Sequence, residues 1–319
     1  MSPAAPWLVA LAIGAIERGE ASFKPTAAEA AVPEVFRLKE GTFVYELEPI
    51  RTTERYTVSK LRFPSPIDAV DDENDTVHAE YFRPSVAGRR PAVVVLHILG
   101  ADFALSRYLA ARLADRGVAA LFVQLPYYGN RRPKGTSKRF LSDDVKRSVG
   151  AMRQGVCDVR RAAAWLAGRP EVDPERIGVA GISLGGIVAA DAAAADPAIR
   201  SAVILLAGGD LAEILWNMPE PAARRARQRW IDAGLTKGDL RAVTEPLDPL
   251  TYADRLVGKR VLMMAGRTDE VIPPASARAL WEKAGRPPIH WYDCGHYSAA
   301  GFLLPAIREA VAFFEADAR

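Results

Sequence analysis

The apolar positions of this chain fall into two alternating patterns. Short runs with little polar interruption occupy residues 92–96, 118–125, 177–180, 201–206, 261–266 and 288–292. Between them, stretches at 104–116, 150–167, 275–284 and 302–316 carry apolar residues at three- and four-residue intervals, with Gly117 and Gly168 placed as stops. An unbroken apolar run suits a strand buried on both faces, and the longer interval gives a helix one buried stripe. Strand-then-helix repetition predicts right-handed crossovers and an α/β fold: a mostly parallel central sheet flanked by helices.

Ahead of these runs the period changes to two. Residues 56–63 and 76–83 alternate, closed by Pro64 and Pro84, with the acidic Asp71-Asp72-Glu73-Asn74-Asp75 between them. This predicts two antiparallel strands joined through an exposed turn. Residues 1–55 hold no sustained period and are expected to form a helical or irregular extension over part of the core, with 56–319 as one domain. Inside the extension, residues 7–16 are apolar, too short to span a bilayer and without a preceding positive cluster. They are expected to form an amphipathic helix of a cytoplasmic protein. Ala28-Glu29-Ala30 mimics a cleavage site and keeps export as the alternative. Residues 207–250 form an insertion between two core strands, with helical patterns at 211–216 and 221–233. It reads either as a lid or as an ordinary helical excursion.

The 319 residues are 49% hydrophobic and 25% charged, enough for a large core. A net charge of +3 argues for neither nucleic acid nor a membrane surface as partner. Cys157 and Cys294 stand in no metal or redox spacing and read as reduced core thiols. No metal or organic cofactor is expected. Seven Lys or Arg fall between Arg131 and Arg147. They read as solvated charge, with capture of a carboxylate or phosphate as the alternative.

Candidate chemistry gathers after residues 177–180. Gly181-Ile182-Ser183-Leu184-Gly185 fits G-x-S-x-G, the nucleophile-elbow pattern. A serine at the apex of a sharp strand-to-helix turn adopts a strained backbone conformation. A side chain two residues away on either side would clash across that turn, so both flanks are glycine. The helix N-terminus that follows favours negative charge developing beside the hydroxyl. Alone, the pentapeptide also describes a plain turn before a packed helix. Three other segments stand at strand ends: His97-Ile98-Leu99-Gly100, the Gly-x-x-Asp-x-x-x-Pro run from Gly266 to Pro273, and Gly295-His296-Tyr297-Ser298.

With these motifs, the chain over residues 75–319 resembles an α/β-hydrolase, and within that superfamily the dienelactone-hydrolase and acetyl-xylan-esterase-like bacterial hydrolases. The resemblance implies a serine, then an acid, then a histidine along the chain. Of four histidines, His78 and His290 lie inside predicted strands and His97 precedes the nucleophile. Only His296 lies in a loop just past a strand, and its Gly-His-Tyr-Ser setting resembles the family's catalytic-histidine loop. The Gly-x-x-Asp-x-x-x-Pro run resembles the family's acid loop and points to Asp269, with Glu270 and Asp210 as competitors. One oxyanion-hole donor would be the N–H of Leu184. The family's His-Gly-x pattern makes Leu99 the second, and Ile98, standing where that pattern usually has glycine, is its rival. His97 is expected to buttress this loop or line the substrate pocket, with Trp216, Trp230 and Tyr127 as further pocket candidates. Asp248-Pro249-Leu250 resembles a recurrent structural segment.

The implied reaction is hydrolysis of a small-molecule carboxylic ester by a serine esterase through an acyl-enzyme. Ser183 stands where dienelactone hydrolases proper usually carry cysteine and haloalkane dehalogenases aspartate. Roughly 90 residues before the 92–96 strand are too few for the propeller of a prolyl-oligopeptidase-type peptidase. The same residues would serve a thioesterase or amidase. A non-catalytic small-molecule binder that retains the triad is the reading from another class.

Overall fold

The computed structural model describes residues 15–100 and 103–316. The helix expected at 7–16 lies almost wholly outside the described residues. Ten strands form one sheet among the described residues: β1 (Glu17–Phe23), β2 (Gly41–Thr52), β3 (Tyr56–Pro64), β4 (Thr76–Pro84), β5 (Arg90–Leu96), β6 (Ala119–Val123), β7 (Val172–Ile182), β8 (Ile199–Leu205), β9 (Arg260–Gly266) and β10 (Ile289–Tyr292). Their order is β1-β2-β3-β4-β6-β5-β7-β8-β9-β10. Neighbours from β1 to β6 pair antiparallel, and every pairing from β6 to β10 is parallel.

The helical or irregular extension expected over residues 1–55 is corrected where it is described: β1 and β2 extend the sheet. Phe43 and Leu47 on β2 are buried at alternating positions. A register shift between Pro49 and Arg51 breaks the period that would have announced the strand. Val32, Phe36 and Leu38 between the two strands are buried in the core. The turn at 71–75 is less exposed than its acidity suggests. Asn74 is fully buried, and its carbonyl accepts from Arg131 and Gln154. Arg131 is therefore not solvated; it forms a 2.7 Å ion pair with buried Asp158.

Helices α1 (Ala104–Asp115), α2 (Val145–Ala167), α3 (Leu184–Ala195), α4 (Leu211–Asn217), α5 (Pro221–Asp232), α6 (Lys237–Thr244), α7 (Pro249–Tyr252), α8 (Pro274–Lys283) and α9 (Leu303–Glu315) connect and flank the strands. α2 begins five residues before the predicted 150–167, because Asp144 caps it by accepting the N–H groups of Lys146 and Arg147. α3, rich in alanine, is buried at every position except Leu184, as a helix apolar all round must be. Asp248 is structural: it accepts N–H bonds from Asp210, Leu211 and Leu250. Cys157 and Cys294 are buried free thiols.

Strand order is what places the site. From β5 the chain crosses to β6 on one side, then returns past β5 to β7 on the other. Connections leaving adjacent strands in opposite directions open a crevice at the carboxyl ends of β5 and β7. The 97–100 segment and Ser183 both emerge there.

Candidate active site

Ser183 joins β7 to α3 with φ 55° and ψ −118°, a region disfavoured for any residue bearing a Cβ. Its surroundings enforce this. The Ser183 N–H donates to the Leu205 carbonyl at 2.8 Å, and the Ile187 N–H donates to the Ser183 carbonyl at 3.0 Å. A Cβ on Gly181 would lie 2.0 Å from the Gly185 carbonyl oxygen, and one on Gly185 2.7 Å from that of His97. Gly181 is thus required by contact across the turn itself, and Gly185 by the close approach of the end of β5 at Leu96 and His97.

Ser183 Oγ lies 2.9 Å from His296 Nε2, and His296 Nδ1 lies 2.9 Å from Asp269 Oδ2. Asp269 is buried, and its Oδ1 accepts the N–H groups of Val271 at 2.9 Å and Ile272 at 2.7 Å. These bonds fix the carboxylate so that Oδ2 faces the imidazole. The proton then belongs on Nδ1, and Nε2 is left to accept from the serine hydroxyl.

The competing acids do other work. Glu270 Oε2 accepts the backbone N–H of His296 at 2.8 Å, which holds its carboxyl below the usual range and anchors the histidine loop. Asp210 accepts the Glu213 N–H at the start of α4 and pairs with Arg241 at 2.9 Å. Neither reaches the imidazole nitrogens.

His97 is fully buried. Its Nδ1 donates to the Ile98 carbonyl at 2.8 Å, and its Nε2 accepts the Leu125 N–H at 3.1 Å. Burial pushes its pKa down to about 4, so the ring is neutral and ties the 97–99 segment to the end of β6. Tyr127 donates its hydroxyl to Asp71 at 3.0 Å, and its N–H to Asn74 Oδ1 at 2.8 Å. The pocket readings of His97 and Tyr127 are therefore corrected. Both side chains are spent on packing and hydrogen bonds, and neither lines the cavity beside Ser183.

That cavity holds about 360 Å³ and is walled by Ser183, Leu184, His296, Ile98 and Leu99 on the sheet side. Trp216 and Trp230 contribute from the 207–250 insertion. The candidate oxyanion donors Leu184, Ile98 and Leu99 so border the same space as the serine. Leu184 opens α3, whose first-turn N–H groups have no partner within the helix.

A sequence profile of the dienelactone hydrolase family matches residues 77–297. The chain belongs to the dienelactone hydrolase family. As a member of this hydrolase family, it is similar to an uncharacterized protein of Mycobacterium tuberculosis, with 28% identity over 65% of this chain and 50% of that protein. A second uncharacterized protein of that organism is 27% identical over 65% of this chain and 62% of its own length. The chain thus spans about half to three fifths of the curated relatives it matches. Among solved structures, acetyl xylan esterase 1 from Thermoanaerobacterium sp. JW/SL YS485 superposes with a TM-score of 0.66 at 22% identity, covering 84% of this chain and 87% of that one. The acetyl xylan esterase from Paenibacillus sp. R4 gives 0.69 at 18% identity, covering 84% and 88%. These likenesses establish the α/β-hydrolase fold. No described helix is long and apolar enough to cross a membrane.

Some residues at this candidate site escaped the sequence reading. Phe140, Val145, Val149 and Met152 line the cavity from the start of α2 and the segment before it. Asp144 as a helix cap, with Val145, Val149 and Met152 following at helical spacing, was the signal that would have found them. Glu220 at the start of α5 lines the cavity too and accepts from Tyr297, a pairing with no local signature.

Proposed function

We propose that this protein is a serine esterase that hydrolyses a small-molecule carboxylic ester through an acyl-enzyme. The continuous hydrogen-bonded chain Ser183–His296–Asp269 carries the reading. His296 Nε2 takes the proton of the Ser183 hydroxyl as Oγ attacks the ester carbonyl. Asp269 holds the Nδ1–H tautomer and stabilises the imidazolium that forms. The N–H of Leu184, with that of Leu99 or Ile98, receives the developing oxyanion. The C–O bond breaks, and the alcohol leaves with the proton from Nε2. Water, deprotonated by the same nitrogen, then attacks the acyl-serine, releasing the acid and restoring Ser183. Residues 207–250 act as the cover of the acyl site.

Labelling with a fluorophosphonate probe, alongside hydrolysis of p-nitrophenyl esters, tests the reading. Stoichiometric labelling at Ser183, lost together with turnover in Ser183→Ala, is the expected outcome. Tight binding of an ester without labelling or turnover would turn the assignment to a non-catalytic binder.

A further inference from the structure

The cavity beside Ser183 is far larger than an acetyl group needs, and nearly all the polar side-chain atoms of its walls outside the candidate triad are already engaged. At about 30 Å³ per water-sized group, 360 Å³ accepts about a dozen non-hydrogen atoms. Its walls are predominantly aliphatic and aromatic, supplied by the end of β7, the start of α2 and the helices of the 207–250 insertion. The few polar side chains along these walls face inward partners. Ser148 Oγ accepts the Ser142 N–H at 2.9 Å, and Ser142 Oγ accepts from Arg147 at 2.9 Å. Thr244 donates to the Leu240 carbonyl at 3.0 Å, and Arg227 donates to the Trp216 carbonyl. Glu220 Oε1 accepts from the Tyr297 hydroxyl at 2.7 Å, beside the catalytic loop. Among the described residues of this wall, Glu220 Oε2 is the one side-chain acceptor buried without a partner.

A polar acyl group such as a dicarboxylate or sugar acid would have to leave its water for walls with almost nothing to offer it. A short acyl group would leave apolar wall uncovered. An aliphatic chain avoids both costs. Resting on the esterase reading above, we propose that the substrates are esters of medium-chain aliphatic acids, about six to ten carbons long. The chain lies under the 207–250 insertion with its carbonyl at Ser183. This departs from the acetyl group named for the structural neighbours, whose likeness is one of fold.

Steady-state kcat/KM on p-nitrophenyl esters from acetate to myristate tests the proposal. Each added methylene up to about C8 should raise kcat/KM by about fourfold, the ~0.8 kcal/mol of burying one CH₂. Beyond about C10 the values should fall. Ala226 on α5 lines the cavity, so Ala226→Phe should lower the octanoate-to-acetate ratio at least tenfold; because the readout is a ratio, a loss of folded protein does not mimic it. Trp216→Ala should move the optimum to longer chains. A wild-type optimum at acetate, with Ser183 still labelled by the fluorophosphonate, overturns the substrate class and leaves the esterase reading standing. If nothing is turned over and Ser183 is not labelled, the esterase reading falls, and binding alone decides the cavity. Ser183→Ala protein, followed by tryptophan fluorescence, should then bind methyl octanoate at least tenfold more tightly than methyl acetate. Equal or absent binding overturns the proposal.

Discussion

The hydroxyl of Tyr297 donates a 2.7 Å hydrogen bond to Glu220, joining the residue next to His296 to the first residue before α5. The bond to a carboxylate pushes the Tyr297 pKa up to about 12, so the phenol stays protonated and donating. Because Glu220 Oε2 has no partner, loss of the tyrosine hydroxyl would strand both oxygens. Tyr297→Phe is expected to lower kcat/KM on p-nitrophenyl octanoate by roughly fivefold, the ~1 kcal/mol net worth of one hydrogen bond at a largely exposed side chain. Glu220→Gln keeps an acceptor and should stay within about threefold of wild type. Identical kinetics in wild type and Tyr297→Phe would show that the contact does not organise the site.

Asp269 is held by three bonds, and their arrangement defines what a substitution does. In Asp269→Asn the amide oxygen can still accept the Val271 and Ile272 N–H groups, which leaves the NH₂ facing His296 Nδ1. A donor there forces the proton onto Nε2, where it cannot accept from Ser183. Turnover should fall by about 10³–10⁴, with the melting temperature little changed. Asp210→Asn removes half of an exposed pair with Arg241 and should leave turnover within about twofold. The opposite ranking of the two variants would move the acid to the earlier strand.

His97 gives stability a pH dependence of defined sign. Its folded pKa, lowered to about 4 by burial, lies below the unfolded value near 6.5. Its contribution is therefore fully present above about pH 6.5 and lost as pH falls toward 4, because the unfolded chain takes up the proton first. The size is on the order of 3 kcal/mol. Arg131 adds to the depression. The buried Asp191, whose carboxyl is raised by desolvation, works the other way, losing stability as pH rises above the unfolded carboxylate range. The comparison is accordingly between wild type and His97→Gln in urea at pH 7 and pH 5. The difference in unfolding free energy between them should shrink by just under about 2 kcal/mol at the lower pH. A constant difference would mean that His97 is not buried neutral.

The parallel strands and the three candidate catalytic side chains were readable because each is encoded within a few residues. An unbroken apolar run marks a buried strand, and glycines flank the serine because Gly181 nearly touches Gly185 across the turn while Gly185 nearly touches the end of β5. Elsewhere the information is spread out or interrupted. The bulge at Pro49 scrambles the alternation of β2, and Asn74 looks like turn polarity although it is the buried partner of Tyr127. The start of α2 depended on one cap, Asp144. Glu220 and Tyr297 meet across 77 positions, and only the packing of the insertion over the sheet brings them together. His97, read as a loop buttress or a pocket residue, is the buttress, and Tyr127 looked like a pocket residue because it follows a strand, but hydrogen bonds turn it away from the cavity.

Two glycines of opposite character separate conformational need from helix cost. Gly150 lies within α2, exposed, with nothing within 4 Å of where a Cβ would stand. Gly150→Ala removes backbone freedom from the unfolded chain without a clash and should stabilise by about 0.5–1 kcal/mol. At Gly181 the same added carbon would lie 2.0 Å from the Gly185 carbonyl oxygen and 2.7 Å from the Gly186 nitrogen, both backbone atoms that cannot step aside. Gly181→Ala should therefore open the elbow, costing more than about 3 kcal/mol and abolishing fluorophosphonate labelling of Ser183. Thermal unfolding of the two variants, read beside labelling, checks both. A Gly181→Ala protein that melts like wild type and still labels would mean that the serine turn is not held by the packing described for it.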